Sequence, residues 1–308
     1  MVSFRFHLIS LTAVFVALAL GIAVGATVVD RATVDALQQQ LDRVERGVDA
    51  TSAENARLGA ELGRWDSFAE QSRNLAVAGR LDGVPVLVVG VAGIDRGPVG
   101  ELRQLLGASG AQVLGAAWLT SRLALARPAD AADLAALAGA APGPPGPLRS
   151  AVLERLAAEL AGEAPSPLLA ALAAAGFVEL EPPPGAGAAP AVPLPGTRFV
   201  VVSDSAAEVP NGELAVPFSE LLARRAGARV LAAEAAREPG PGAAGRSAFV
   251  GPLREQAASA ALLSTVDNLE DYRGRFSAVY ALADLGAGRV GHFGVGPRAT
   301  RLVPETAG

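Results

Sequence analysis

The chain contains no cysteine and no lysine, one methionine at its start and only two histidines, His7 and His292. Lacking thiols, it can form neither a disulfide nor a thiolate zinc site, and it offers no cysteine nucleophile. Such a chain suits an oxidising compartment without requiring one. Lacking lysine, it cannot contain a G-x-x-x-x-G-K-[ST] phosphate loop, which closes that route to nucleotide hydrolysis. A net charge of −5 leaves no basic footprint, so nucleic acid is not expected as a partner. All basic residues are arginine, amid abundant alanine and glycine. That pattern reads as the codon bias of a GC-rich genome and carries no function.

What is present falls into successive segments. Residues 1–7 form a short leading tail, and from Leu8 to Val29 there is no charged residue. At ~1.5 Å rise per residue such a helix covers a hydrocarbon core of ~30 Å. A signal peptide cleaved near Val24-Gly25-Ala26 is the alternative, which would leave an exported protein, but the apolar run exceeds the usual ~7–15 residues. Arg5 ahead of the span favours a cytoplasmic tail and an extracytoplasmic remainder. Ala13, Ala17, Gly21 and Gly25 recur every fourth residue, a strip that lets two membrane helices approach closely.

Residues 30–72 carry a heptad pattern. Val34, Leu37, Leu41, Val44 and Val48 alternate spacings of three and four, and Thr51, Asn55, Leu58, Leu62, Trp65 and Ala69 continue the register. This is an a/d seam, expected to pair two copies in parallel as a homodimer, with Asn55 at an a position setting register. An amphipathic helix packed on its own body is the rival reading. Gly47, Gly59 and Gly63 each cost ~1 kcal/mol of helix propensity.

Residues 80–308 read as an α/β body. Val84–Gly90, a helix from about Pro98 to Gly107, and Gln112–Trp118 make one βαβ unit. Arg198–Ser203, a helix from Phe218 to Ala226, and Ala228–Ala232 make a second, followed by a strand at Ala261–Thr265 and a helix at Tyr272–Leu285. Between them lie Ala/Leu-rich helices at Asp130–Ala141, Arg149–Ala161 and Leu168–Ala175, then a proline-rich linker over residues 181–197. Glu238–Gly245 reads as a similar loop. The expected fold is therefore α/β: an N-terminal transmembrane helix and coiled coil, then a doubly wound, mostly parallel body whose halves, 80–180 and 198–308, share one sheet or form two lobes.

Ser264-Thr-Val-Asp-Asn268, Gly274-Arg-Phe-Ser-Ala-Val-Tyr-Ala-Leu282 and Gly291-His-Phe-Gly-Val-Gly296, with the apolar start and the coil ending near Trp65-Asp-Ser-Phe68, resemble the actinobacterial MctB-like copper transport family. The resemblance covers most of the chain and is weakest between about Ala129 and Pro195. It implies copper transport or homeostasis in the cell envelope. SteB-like members imply a different role, as membrane-bound partners of an envelope or cell-division protein such as a peptidoglycan hydrolase. Residue chemistry agrees only partly with copper. Cu(I) prefers thiolate and thioether, Cu(II) imidazole, and beyond the span only His292 qualifies. No cofactor is expected, and copper enters through the resemblance alone. A membrane barrel needs many tilted strands of ~9–11 alternating residues, which this chain does not offer.

Other candidates are thin. Gly90-Val-Ala-Gly-Ile-Asp-Arg-Gly97 follows a strand and precedes a helix, yet lacks G-x-G-x-x-G spacing and reads as a tight turn. Ser203, Asp204, Asp267 and His292 could be drawn as a triad, but G-x-S-x-G is absent, so no enzyme is expected. Asp267 and Asn268 read as caps of the following helix. His292 stands as a possible metal ligand or, more simply, a hydrogen-bonded histidine in a glycine turn. Trp118, Tyr272, Phe276, Tyr280 and Phe293 read as core rather than a binding face.

Overall fold

The computed structural model describes residues 4–139, 141, 143–163, 167–183, 193–235 and 247–305, with backbone alone at 26–34, 66 and 70. Pro184, Pro190 and the Glu238–Gly245 loop lie outside the described residues, as does the side chain of Val34. The chain divides into two compact units, Met1–Phe68 and Ala69–Gly308.

One helix, α1 (Phe4–Val77), runs unbroken through the first unit. Its segment Phe4–Gly25 is long and apolar enough to cross a membrane. Ala13, Ala17, Gly21 and Gly25 are exposed along it. The seam residues are exposed as well: Leu37, Val44, Val48, Asn55 and Leu58, with Leu41 at 63%, Leu62 at 64% and Trp65 at 61%. Gly47, Gly59 and Gly63 do not interrupt the helix. Away from the seam, the Arg57 guanidinium pairs with Glu54 three residues earlier and Glu61 four later, the spacing at which side chains on one helix face meet.

The second unit is built on a seven-stranded sheet. β1 (Pro85–Val91), β2 (Gln112–Leu119), β3 (Val178–Glu181), β4 (Arg198–Ser203), β5 (Val230–Glu234), β6 (Ser264–Val266) and β7 (His292–Phe293) lie in the order β3-β2-β1-β4-β5-β6-β7. All neighbours are parallel except β3 against β2. β1 pairs β4 from Val86↔Arg198 to Gly90↔Val202, so both halves of the body belong to one sheet.

Side chains alternate along each strand and β1, β2, β4 and β5 are largely apolar on both faces, so each face needs a cover. Leu87, Val89, Phe199, Val201 and Val230 pack with α3 (Pro128–Ala138), α4 (Pro145–Ala161), α5 (Leu168–Ala174), α6 (Ala215–Ala226) and α7 (Val250–Glu255). Val86, Val88, Val200, Val202 and Leu231 pack with α2 (Gly97–Ala108), α9 (Tyr272–Gly286) and the last turn of α1 at Val77. The short α8 (Ala257–Ala260) precedes β6.

Several boundaries depart from sequence expectation. α4 starts at Pro145 inside the proline run, because proline's fixed φ suits a first helical turn whose N–H groups need no partner. Glu181 is the last residue of β3 rather than the first of a linker. The run Ala261–Leu263 is not strand, and β6 is confined to Ser264–Val266. Asp267 and Asn268 do not cap α9; Asp271 does, its Oδ1 accepting from the Arg273 backbone N–H at 2.9 Å.

Trp118 is buried on β2, and a Cβ added at Gly90 on neighbouring β1 would overlap its ring. Gly90→Ala is therefore expected to destabilise the body by about 1–3 kcal/mol, as overpacking does, read as a lower urea midpoint with an unchanged slope.

Candidate functional site

Two of the stretches that carry the family resemblance, Ser264–Asn268 and Gly291–Gly296, meet at the carboxyl ends of β6 and β7, beside the end of β5. Glu234, the last residue of β5, is fully buried. Its carboxyl accepts the backbone N–H groups of Ala248 (3.0 Å), Phe249 (3.1 Å) and Val250 (2.9 Å), seating the start of α7. Burial pushes its pKa up, the three N–H donors oppose the shift, and the nearby Asp267 adds to it.

α7 carries Arg254, 1% exposed, into the space beyond β6. Its Nε donates to Thr265 Oγ1 (2.7 Å), its Nη1 to Asp267 Oδ2 (2.6 Å) and the Pro297 carbonyl (3.0 Å), and its Nη2 to the Phe293 carbonyl (2.8 Å). Asp267, fully buried, also accepts from Val295 N (2.8 Å) and Gly296 N (2.9 Å). A buried ion pair is tolerable only when its remaining donors and acceptors are met, as here. Gly294 sits at φ +128°, where a Cβ would overlap the Asp267 carboxylate, so this turn requires glycine.

His292 on β7 places Nδ1 3.1 Å from Thr265 Oγ1. Burial pushes its pKa down, as does the Arg254 charge, while a hydrogen bond with the Ala260 backbone opposes both. Thr265 Oγ1 already accepts from Arg254 Nε, so its hydroxyl proton is free to point at Nδ1, and the neutral ring accepts there. Among the described residues no three His, Cys, Asp or Glu side chains gather to hold a metal ion. The hydrogen bonds of Arg254 and Asp267 make the site a buried polar clamp that joins β6, α7 and the turn after β7.

The structure separates the remaining triad candidates. Ser203 ends β4, separated from β7 by β5 and β6, and its hydroxyl donates to Asn211 Oδ1 at 2.6 Å. Asp204 Oδ1 accepts from Ala206 N. At the crevice between β1 and β4, Glu208 N donates to the Ala92 carbonyl (2.9 Å), and a Cβ on Gly93 would overlap the Ala206 carbonyl. The loop after β4 thus lies over the turn Gly90–Gly97, where a phosphate would sit in a dinucleotide-binding fold. Of the aromatics, Trp118, Tyr280 and Phe293 are buried, Phe276 is partly buried against Tyr280, and Tyr272 is half-buried. Tyr280 donates its hydroxyl to the Ala76 carbonyl at 2.8 Å.

Arg254 and Glu234 were not singled out in the sequence. A carboxylate ending the apolar run Val-Leu-Ala-Ala-Glu234 could have been noticed as a strand-end acid. Arg254 carries no such mark, since its partners lie 11 and 13 residues away.

The class is now defined: a mostly parallel α/β body, knit at its strand ends by a buried arginine clamp, in a chain that starts with one apolar helix. The chain matches the model of the family described as copper transport outer membrane protein, MctB, over residues 1–304, and it belongs to that family. It is similar to proteins named copper transporter MctB from Mycobacterium bovis and Mycobacterium tuberculosis, 28% identical over 322 residues, covering 96% of this chain and 97% of theirs.

Two outcomes follow from the clamp. Arg254→Met leaves the Asp267 carboxylate buried without its cation and is expected to cost about 3–5 kcal/mol, measured by urea unfolding. For His292, the folded form binds fewer protons than the unfolded chain, so its contribution is complete above its ordinary pKa of about 6.5 and is lost as pH falls through the lower folded value. Glu234 acts oppositely: its contribution is complete below its ordinary value and lost as pH rises through the raised folded one. Compared between about pH 7.5 and about pH 5.5, His292→Gln should therefore lose less stability than the unaltered chain. Equal losses would show that His292 does not titrate as argued.

Proposed function

We propose that this chain is a membrane-anchored envelope protein acting in copper homeostasis, in which copper is cargo handled by an assembly rather than an ion held in this body. The family description and the relatives' name support the link to copper. The apolar segment Phe4–Gly25 supports the anchor, and Arg5 ahead of it favours a body outside the cytoplasm. We read the body as doubly wound, without resident cofactor or enzymatic step. The observation that carries the indirect role is that His292, the one histidine beyond the apolar segment of a chain without cysteine, already meets the Thr265 hydroxyl through Nδ1.

We further read Val34, Leu37, Leu41, Val44, Val48, Asn55, Leu58, Leu62 and Trp65 as a seam for a second copy in parallel. Large apolar side chains at 43–64% exposure along one helix face are the pattern a coiled-coil partner covers. A second reading, a scaffold that regulates an envelope or division protein such as a peptidoglycan hydrolase, draws on Phe68. It lies beside the seam, 64% exposed, with its ring edge-on to Trp65 at 6.2 Å, and adds apolar surface that the a and d positions do not account for.

Deletion of the gene, with growth scored against copper and against cell-wall stress, is the test. Copper sensitivity rescued by the chain and by His292→Gln, but not by Leu41→Asp, is expected. Sensitivity to wall stress alone moves the function to the second reading. Failure of His292→Gln to rescue, combined with stoichiometric copper binding lost in that variant by titration calorimetry, would make His292 a ligand and overturn the indirect role.

A further inference from the structure

We propose that the second copy is also gripped inside the membrane, along Ile9, Ala13, Val16 and Leu20, as one heptad seam continuous with the coil, and not along the strip Ala13, Ala17, Gly21 and Gly25. This rests on the self-pairing read above.

The argument starts from the continuity of α1, whose backbone is helical without a break from Phe4 to Val77. An unbroken helix carries its register from one end to the other. Leu37 lies 21 residues, three whole heptads, beyond Val16, and Val16 lies one heptad beyond Ile9. Leu41 stands in the same relation to Leu20, and Leu20 to Ala13. The a and d positions of the coil therefore reach those four residues in the apolar segment by way of Ala23, Thr27 and Asp30, the last a single charged position just beyond the uncharged stretch. A shallow apolar groove runs along them, with Leu8, Thr12 and Ala17 at its margins. The Thr12 hydroxyl is turned inward, donating to the Leu8 carbonyl at 2.8 Å, so it leaves the groove apolar.

In the same register Ala17 falls at e, Gly21 at b and Gly25 at f, the position facing away from the seam. The handedness disagrees too. Strips of small residues spaced by four favour right-handed crossings of about −40°, whereas a heptad seam supercoils left-handedly at about +20°. Two copies joined through Leu37, Leu41, Leu58 and Leu62 cannot cross in the opposite sense a few turns earlier without breaking the helix. Of the small residues, only Ala13 serves both patterns, and its small side chain at an a position lets the backbones approach.

The absence of native cysteine permits a clean test on the full chain in its membrane. Single substitutions Val16→Cys, Ala17→Cys, Leu20→Cys and Gly21→Cys are compared pairwise at nearly equal depth, with Leu41→Cys reporting on the coil, and disulfide-linked dimer is quantified after mild oxidation. Expected are linkage at Leu41→Cys and several-fold more linkage at Val16→Cys and Leu20→Cys than at Ala17→Cys and Gly21→Cys. If Leu41→Cys links while Gly21→Cys exceeds Leu20→Cys, or no membrane position links, the continuous seam is overturned and pairing through the coil stands. If Leu41→Cys does not link, the self-pairing reading fails, and the continuous seam fails with it whichever membrane position reacts.

Discussion

A guanidinium enclosed by a protein core must find an anion and a partner for nearly every N–H, and Arg254 meets that demand. Its pairing with Asp267 removes the net charge. Its remaining donors take the Thr265 hydroxyl, the carbonyl of Phe293 at the end of β7 and that of Pro297 beyond it. The strands involved are short, β6 of three residues and β7 of two, so ladder bonds alone hold them weakly. The clamp supplies what the ladder lacks at this edge of the sheet. That Gly294, Asp267 and His292 stand where they do follows from the closeness with which backbone must approach these two side chains.

The same solution recurs elsewhere in the body. Arg149 donates to the Leu123, Ala124 and Glu213 carbonyls as well as to the Glu213 carboxylate. Arg103 takes Glu181 and the Pro182 carbonyl, and Arg122 takes the Ala175 carbonyl beside Asp130 and Asp133. A chain rich in proline and glycine leaves many loop carbonyls without an N–H partner. A planar fork with five donors can gather several of them at once, which an ammonium on a flexible stem does less well. The absence of lysine thus has a structural counterpart in these arginine sites.

The clamp also bears on how the family's link to copper is to be understood. Soft copper ions seek sulfur or imidazole, and the residues of this body that come nearest to such chemistry are committed to holding strands together. An assembly in which copper is met by another component, or between copies, requires of this chain a stable body and a means of association. The large apolar side chains exposed along α1 are suited to the second requirement.

Periodicity exposed much of this in advance. Apolar runs with β-branched residues located β1, β2 and β4, and a 22-residue uncharged stretch located the apolar start of α1, because each is a local pattern that repeats within a few residues. β3 and β7 were not legible, since four and two residues carry too little pattern. Nor were α4's start among prolines or the cap at Asp271. The candidate site was half legible: the sequence marked Asp267 and His292 as notable but assigned Asp267 to a helix cap. Sequence by itself determined the order of segments, the register of α1 and the poverty of copper ligands, all properties of neighbours along the chain. Only tertiary structure decided that the two halves share one sheet and that Glu234, Arg254, Asp267 and His292 meet. Those contacts depend on strand order and loop closure in space, which no local spacing encodes.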